Sequence, residues 1–419
     1  MESITVKKVS SAGRRLDIDF DVSNGLKKFF SPEHHFFVEF TCDISDVPAS
    51  VLIVPFLTNV LQLSWLTNSV IWVDEIDSVF YKNLYRLKTA FGELYPFYKF
   101  GGTLIAARQI DNHYDIQREA VLLFTGGIDA TASLIRHEHL SPILLNTNGW
   151  YCKNSDECNP VYDADFEAIS RIAHTHDLHS IFVKSNFATF INGNKVNEVF
   201  GKIVNNTWWF GFQHSPAFLG CAIVAGYHFR VRKIYIASSY TFGQNVVCVS
   251  DPRIDSCISC SEMTTVHDGY ELSRQDKVKL ITAYQAGTAK KAELRVCSFN
   301  THNCCCCEKC FRSMLALIAE GVDKLEQFGF DLDEPILDKT RYFIEYKAME
   351  LDHNHVVFWQ DIVRRMGDNY QNLVHKEVYD YLKNIDLDHA KRRSILHHYK
   401  ADYKDILKRK LTGLFNRGN

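Results

Sequence analysis

Two stretches of this chain hold residues whose types and spacing can do chemistry. The first is "VLLFTGGIDATASLIRH", residues 121 to 137: an apolar run, a Gly-Gly pair, an aspartate and a small-residue helix. Adjacent glycines after a buried strand let the backbone turn tightly and leave nothing in a ligand's way. The helix behind them offers free N–H groups and the positive end of its dipole, which suits phosphate. Thr125 supplies a hydroxyl, and Asp129 stands where it could hold magnesium or orient the loop. Neither G-x-x-x-x-G-K-[ST] nor G-x-G-x-x-G occurs, which excludes a kinase-type phosphate loop and weakens a dinucleotide reading. The competing reading is a plain strand-to-helix turn.

The second stretch is "RVCSFNTHNCCCCEKCFRS". Cys297, Cys304, Cys307 and Cys310 give the spacing C-x6-C-x2-C-x2-C. Four thiolates so spaced can close around one tetrahedral zinc, a structural site with no open position that folds its loop rather than running a reaction. Adjacent cysteines diverge, so Cys305 and Cys306 are left over, with Cys305 or His302 as alternative ligands. The opening "MESITVKKVSSAGRR" shows no secretory pattern, so a reducing, cytoplasmic setting is expected and disulfides are not.

These groups need a scaffold. From about 116 to 325, short apolar strands ("AVLLFT", "PILLNT", "SIFVKS", "KIYIAS") alternate with helices ("DATASLIRHEHL", "DADFEAISRIAHTHD", "SPAFLGCAIVAGYHF"). That alternation predicts an α/β domain, a parallel sheet with helices on both faces and ligands at the carboxyl ends of its strands. Thr125, Asn146, Lys184 and Ser238 fall at that edge, with Ser239 beside them. Residues 1–115 read as a separate α+β domain, with strands in "HHFFVEFTCDI" and "SVIWVDEI" and a helix in "VFYKNLYRLKTAFGELY". Residues 326–419 read as a helical region. Its tail, 391–419, holds nine Lys or Arg against two Asp, a basic helix that more often faces solvent than nucleic acid.

Composition bounds the function. With 419 residues, 46% hydrophobic and 23% charged, the chain has the make-up of a soluble globular protein of two or three domains. A net charge of −3 argues against wholesale binding to nucleic acid. The most apolar run, "VLIVPFLTNVLQLSWL", is broken by Pro55, Asn59, Gln62 and Ser64 and reads as a buried helix rather than a membrane span.

The loop T-G-G-I-D-A at Thr125–Ala130 resembles the S-G-G-x-D-S loop of the PP-loop ATP pyrophosphatases, with one hydroxyl kept at Thr125 and one lost at Ala130. Taken with the cysteine knuckle about 170 residues later, the pair resembles the 7-cyano-7-deazaguanine synthase (QueC) family over residues 120 to 325. "HDGYELSRQDKVKLI" is similar to that family's loop and helix before the knuckle, while Gln213 and His214 replace an Arg-Asn pair. The resemblance implies that ATP lies across Phe124, Thr125, Gly126, Gly127, Ile128, Asp129, Ala130 and Thr131, with adenine near Leu145 and Asn146. It further implies that Asp129, Lys184 and His214 serve the reaction, that Ser239, Asp251, Asp268 and Arg274 serve the substrate, and that ATP, Mg2+ and a structural Zn2+ are needed. For His214, Lys184 and Asp251 a structural or surface role is an open alternative.

The implied activity is ATP-dependent activation of a carboxylate, 7-carboxy-7-deazaguanine, releasing AMP and pyrophosphate, followed by attack of ammonia or a protein amine. Relatives with such terminal extensions occur in antiphage gene clusters, which would make residues 1–115 a docking place for a protein substrate. A degenerate nucleotide-binding scaffold is the non-enzymatic alternative, favoured by Ala130. A tRNA-thiolating relative ranks last, since Cys152 and Cys158 are the only cysteine pair near the loop.

Overall fold

The computed structural model describes residues 2–151 and 160–399, with the backbone alone at 353 and 354. Cys152 and Cys158, and most of the basic tail, lie outside the described residues. The chain divides into two units, 1–273 and 274–419, so the divisions expected near 115 and 325 fall inside these units.

The first unit is built on one ten-stranded sheet. Its strands are β1 (Ser3–Ala12), β2 (Arg15–Val22), β3 (His35–Phe40), β4 (Val70–Asp77), β5 (Thr103–Ile110), β6 (Arg118–Leu123), β7 (Ile143–Asn148), β8 (Ser180–Ser185), β9 (Val231–Ala237) and β10 (Thr264–Asp268). Their order is β10-β9-β6-β7-β8-β3-β2-β1-β4-β5. Six pairings are parallel and three antiparallel, the latter joining β1, β2, β3 and β8. The expected alternation of strand and helix therefore holds, and the mixed α/β sheet extends through residues 3–110 by the β3–β8 pairing.

Five helices position the site. The "VPFLTNVLQLSWLT" segment, α1 (Val54–Thr67), is buried from Val54 to Leu66. Among its buried polar side chains, Asn59 donates to the Pro55 carbonyl at 2.8 Å and accepts from Gln213 at 2.8 Å, while the Gln62 amide has no hydrogen-bond partner among the described residues. Helix α2 (Ser78–Leu94) is capped by Asp77, whose Oδ1 accepts from the amides of Val79 and Phe80 at 3.0 Å. Helix α3 (Ile128–His137) follows the Gly-Gly pair, α4 (Pro160–Thr175) lies between β7 and β8, and α5 (His214–His228) precedes β9. Both α3 and α5 pack against β6 and β9. Among the described residues no helix is long and apolar enough to cross a membrane.

The second unit is helical among its described residues, as expected for the C-terminal region. After the short α6 (Pro252–Asp255) of the first unit come α7 (Arg274–Gly287), α8 (Glu308–Ala319) and α9 (His353–Asp368). Helix α9 carries a capping box at Asp352 and His355. The cysteine knuckle precedes α8.

Candidate nucleotide crevice and metal centre

Numbered by their own succession, β6 to β10 run in the order 3-2-1-4-5, all parallel. Connections therefore leave β6 toward β7 and β9 toward β10 in opposite directions, and a crevice opens at the carboxyl ends of β6 and β9, where doubly wound sheets take ligands. The Gly-Gly pair sits at that point. Gly126 has φ +73°, a left-handed conformation that side chains resist, and Gly127 caps α3 in an extended conformation. The Thr131 amide bonds the Gly127 carbonyl at 2.9 Å, closing the first helical turn. Thr125 is exposed, with its hydroxyl 3.5 Å from the Gly127 amide. Asp129 lies in the first turn of α3.

Ala130 is buried in an apolar cluster with Leu122, Phe124 and Leu134. Ala130 thus belongs to the packing beneath the loop, and Ile128 and Thr131 are buried beside it. Leu145 and Asn146 stand next to the loop as expected: the Phe124 amide donates to the Leu145 carbonyl at 2.8 Å, and the Asn146 amide donates to the Phe124 carbonyl at 2.9 Å. Beyond β7, Trp150 is 47% exposed and its ring lies 4.8 Å from that of Trp209.

The remaining expected residues are distributed over several elements. Lys184 is at the carboxyl end of β8, with its ammonium 4.3 Å over the Tyr151 ring. Ser239 is exposed, two residues past the end of β9. Asp268 ends β10, buried, and accepts from Ser133 at 2.6 Å and His137 at 2.8 Å on α3. These bonds tie β10 to α3, a role that spacing alone did not suggest. Asp251 caps α6 and holds Arg253 through two bonds of 2.8 and 2.9 Å. Burial pushes its carboxyl up, but the Arg253 hydrogen bonds and charge outweigh that and leave it below the ordinary carboxylate value. Arg274 opens α7 in the second unit, its guanidinium over the Phe358 ring.

His214 begins α5. Its Nδ1 lies 2.9 Å from the Trp209 carbonyl and its Nε2 3.8 Å from the Cys248 sulfur. Burial holds the imidazole below its ordinary pKa and pushes the Cys248 thiol up to about 12. Burial thus disfavours the charged form of both groups.

Sequence reasoning missed a cluster on the other face of β10. Consecutive strand residues point to opposite faces: Asp268 meets α3, and His267 meets Asp255 at the end of α6, with Nδ1 2.7 Å from Oδ2. Ser215 donates to the same carboxylate and Ser250 lies 3.3 Å from it. These residues come from α5, α6, β10 and one loop, and no spacing in the sequence connects them.

In the second unit, one sulfur each from Cys297, Cys304, Cys307 and Cys310 all lie within 4.8 Å of one another. Tetrahedral zinc at about 2.3 Å from each sulfur needs S···S separations of about 3.8 Å; Cys304 and Cys310 are at 3.8 Å already. Buried Asn303 braces the knuckle, accepting from the amides of Val296 and Cys297 and donating to the carbonyls of Leu294 and Gly329. Cys307 caps α8, and hydrogen bonds from the Cys310 thiol and amide draw its own thiol down to about 7, toward the thiolate a metal requires. Cys305, at φ +51°, turns its sulfur toward the Asn303 carbonyl, and burial pushes it up to about 12. Cys306 is exposed. The four expected cysteines can hold a structural metal such as zinc, and the two left over stand apart.

Comparison with known protein families, curated proteins and solved structures finds no match for this chain.

Proposed function

We propose that the chain is an ATP-dependent carboxylate-activating enzyme, a ligase that releases AMP and pyrophosphate. The observation that carries this reading is the Gly126–Gly127 turn, set at the reversal of strand order between β6 and β9 and opening α3. The turn's amides and the helix dipole stabilise the negative charge that grows on departing pyrophosphate. Asp129 holds the magnesium that accompanies ATP, and adenine lies toward Leu145 and Asn146, with Trp150 as a flat neighbour.

The acid is a flat heteroaromatic carboxylate of the 7-carboxy-7-deazaguanine type, as the resemblance to the PP-loop synthases implies. The amine that follows is ammonia or an amine of a partner protein docked on residues 1–115, which would suit an antiphage setting. The burial of Ala130 among apolar side chains supports an active loop over a degenerate scaffold, because a hydroxyl there would point into packing. Lys184, stacked on Tyr151, contributes positive charge at the edge rather than a direct step.

Incubation with Mg2+, ATP, ammonia and 7-carboxy-7-deazaguanine tests the reading. AMP and pyrophosphate in equal amounts, dependent on the acid, is the expected result. ADP and phosphate, or no acid dependence, contradicts it.

A further inference from the structure

We propose that His267 is the base that accepts the proton of the attacking amine, with Asp255 as its positioning residue. The inference rests on the adenylation reading above. Asp255 is fully buried and the His267 side chain is 2% exposed. A carboxylate only accepts, so the Nδ1 that faces it at 2.7 Å carries the proton. The ring's basic lone pair then belongs to Nε2. Buried Nε2 has no hydrogen-bond partner among the described residues. A buried polar atom in that state needs a reason, and a base awaiting substrate supplies one. An imidazole held on one side by a carboxylate and unpaired on the other is the arrangement of a general base.

Its place in the fold suits the task. His267 is the penultimate residue of β10, and the next residue's carbonyl accepts from the Ser238 amide at 2.8 Å, just past the end of β9. The base therefore stands one strand from the crevice, on the face of the sheet opposite α3. His214, the histidine expected to act, has both ring nitrogens engaged.

In the step, the lone pair of the neutral amine attacks the acyl carbon of the adenylate and a C–N bond forms. The C–O bond to phosphate breaks, and AMP leaves with the electron pair. The proton released by nitrogen passes to Nε2. Asp255 stabilises the resulting imidazolium, which returns the proton to solvent before the next turnover.

The test uses the full chain and His267→Gln with 7-carboxy-7-deazaguanine as the acid. Acid-dependent exchange of pyrophosphate into ATP reports adenylation alone, while amide and hydroxamate formation report transfer to ammonia and to hydroxylamine. Exchange should stay within about twofold of wild type, while amide formation falls at least about 100-fold. Hydroxylamine, a weakly basic and strong nucleophile that needs little help losing its proton, should restore product. Asp255→Asn should show the same split in milder form, and keeps the assignment testable if the first variant does not fold. Loss of exchange together with transfer, or no rescue by hydroxylamine, overturns the assignment. If wild type itself shows no acid-dependent exchange, the adenylation reading falls and takes the base with it.

Discussion

Along the sheet, residues 3–110 and 118–268 repeat one strand order. β3-β2-β1-β4-β5 and β8-β7-β6-β9-β10 are both 3-2-1-4-5 when each half is numbered by itself. The connections differ. β6 runs through Gly126–Gly127 into α3, and its neighbours are all parallel, so loops and a helix start gather at one edge. β1 instead turns back at Gly13 into antiparallel β2, and no helix begins at its end. In that half the end of β4 is filled by Asp77, whose carboxylate takes the amides of Val79, Phe80 and Ser261, the Ser261 hydroxyl and the Asn112 amide. One half has a glycine turn opening a helix at this end of the sheet; in the other the end of β4 is occupied by a carboxylate that gathers donors from both halves. Strand order alone does not make a site, and the handedness and type of each connection decide where donors remain.

The sharpest way to break this contrast is to block each turn. Gly126→Val places a β-branched residue at φ +73° and crowds the loop amides, and acid-dependent AMP formation should fall at least about 100-fold, as expected when oxyanion-type donors are displaced. Gly13→Ala sits at φ +57° with nothing within 4 Å of the added carbon; it should cost about 1 kcal/mol in urea unfolding and leave AMP formation unchanged. Equal loss of activity in both would erase the distinction between the halves.

Metal removal addresses the second unit. Purified chain should hold one zinc per molecule, and Cys310→Ser should lose the metal and the cooperative melting of residues 274–399, while Cys306→Ser keeps both. Retained zinc in Cys310→Ser would contradict the ligand set.

Asp77→Ala should destabilise the first unit by about 3 kcal/mol, since it strands several buried donors at once. Turnover per folded molecule should not change, because that carboxylate serves packing. A changed KM for ATP would place chemistry in the wrong half.

The smallest effect concerns pH. Burial keeps His214 neutral in the folded chain, whereas the unfolded chain protonates it below about pH 6.5. Its stabilising contribution is complete above that value and is lost as pH falls below it, with a slope of at most about 1.4 kcal/mol per pH unit. His214→Gln should flatten that part of the stability profile and shift no pH optimum of turnover.

Much of the fold is legible in the sequence where strands carry short runs of β-branched and aromatic residues between helices. "SIFVKS" coincides with β8, and "KIYIAS" lies within one residue of the end of β9. β1, "SITVKKVSSA", was not legible because only Ile4 in it is buried, and one of its two pairing partners, parallel β4, lies more than 60 residues away. The Gly-Gly turn and the four cysteines are local motifs and could be read directly. Asp268 could not be assigned without the fold, since Ser133 and His137 reach it across 131 or more residues. The Asp255–His267 pair is only 12 residues apart but was invisible too, because no motif spacing marks it and each residue gains its meaning from the element opposite.

The account's central claim is that the loop at Gly126–Gly127 activates a carboxylate by adenylation. The most direct measurement is the fate of carboxylate oxygen, followed by mass spectrometry with 7-carboxy-7-deazaguanine labelled with 18O in its carboxyl group. The account predicts that labelled oxygen appears in the phosphate of AMP. AMP formed without label, or label found in phosphate or pyrophosphate instead, would contradict it.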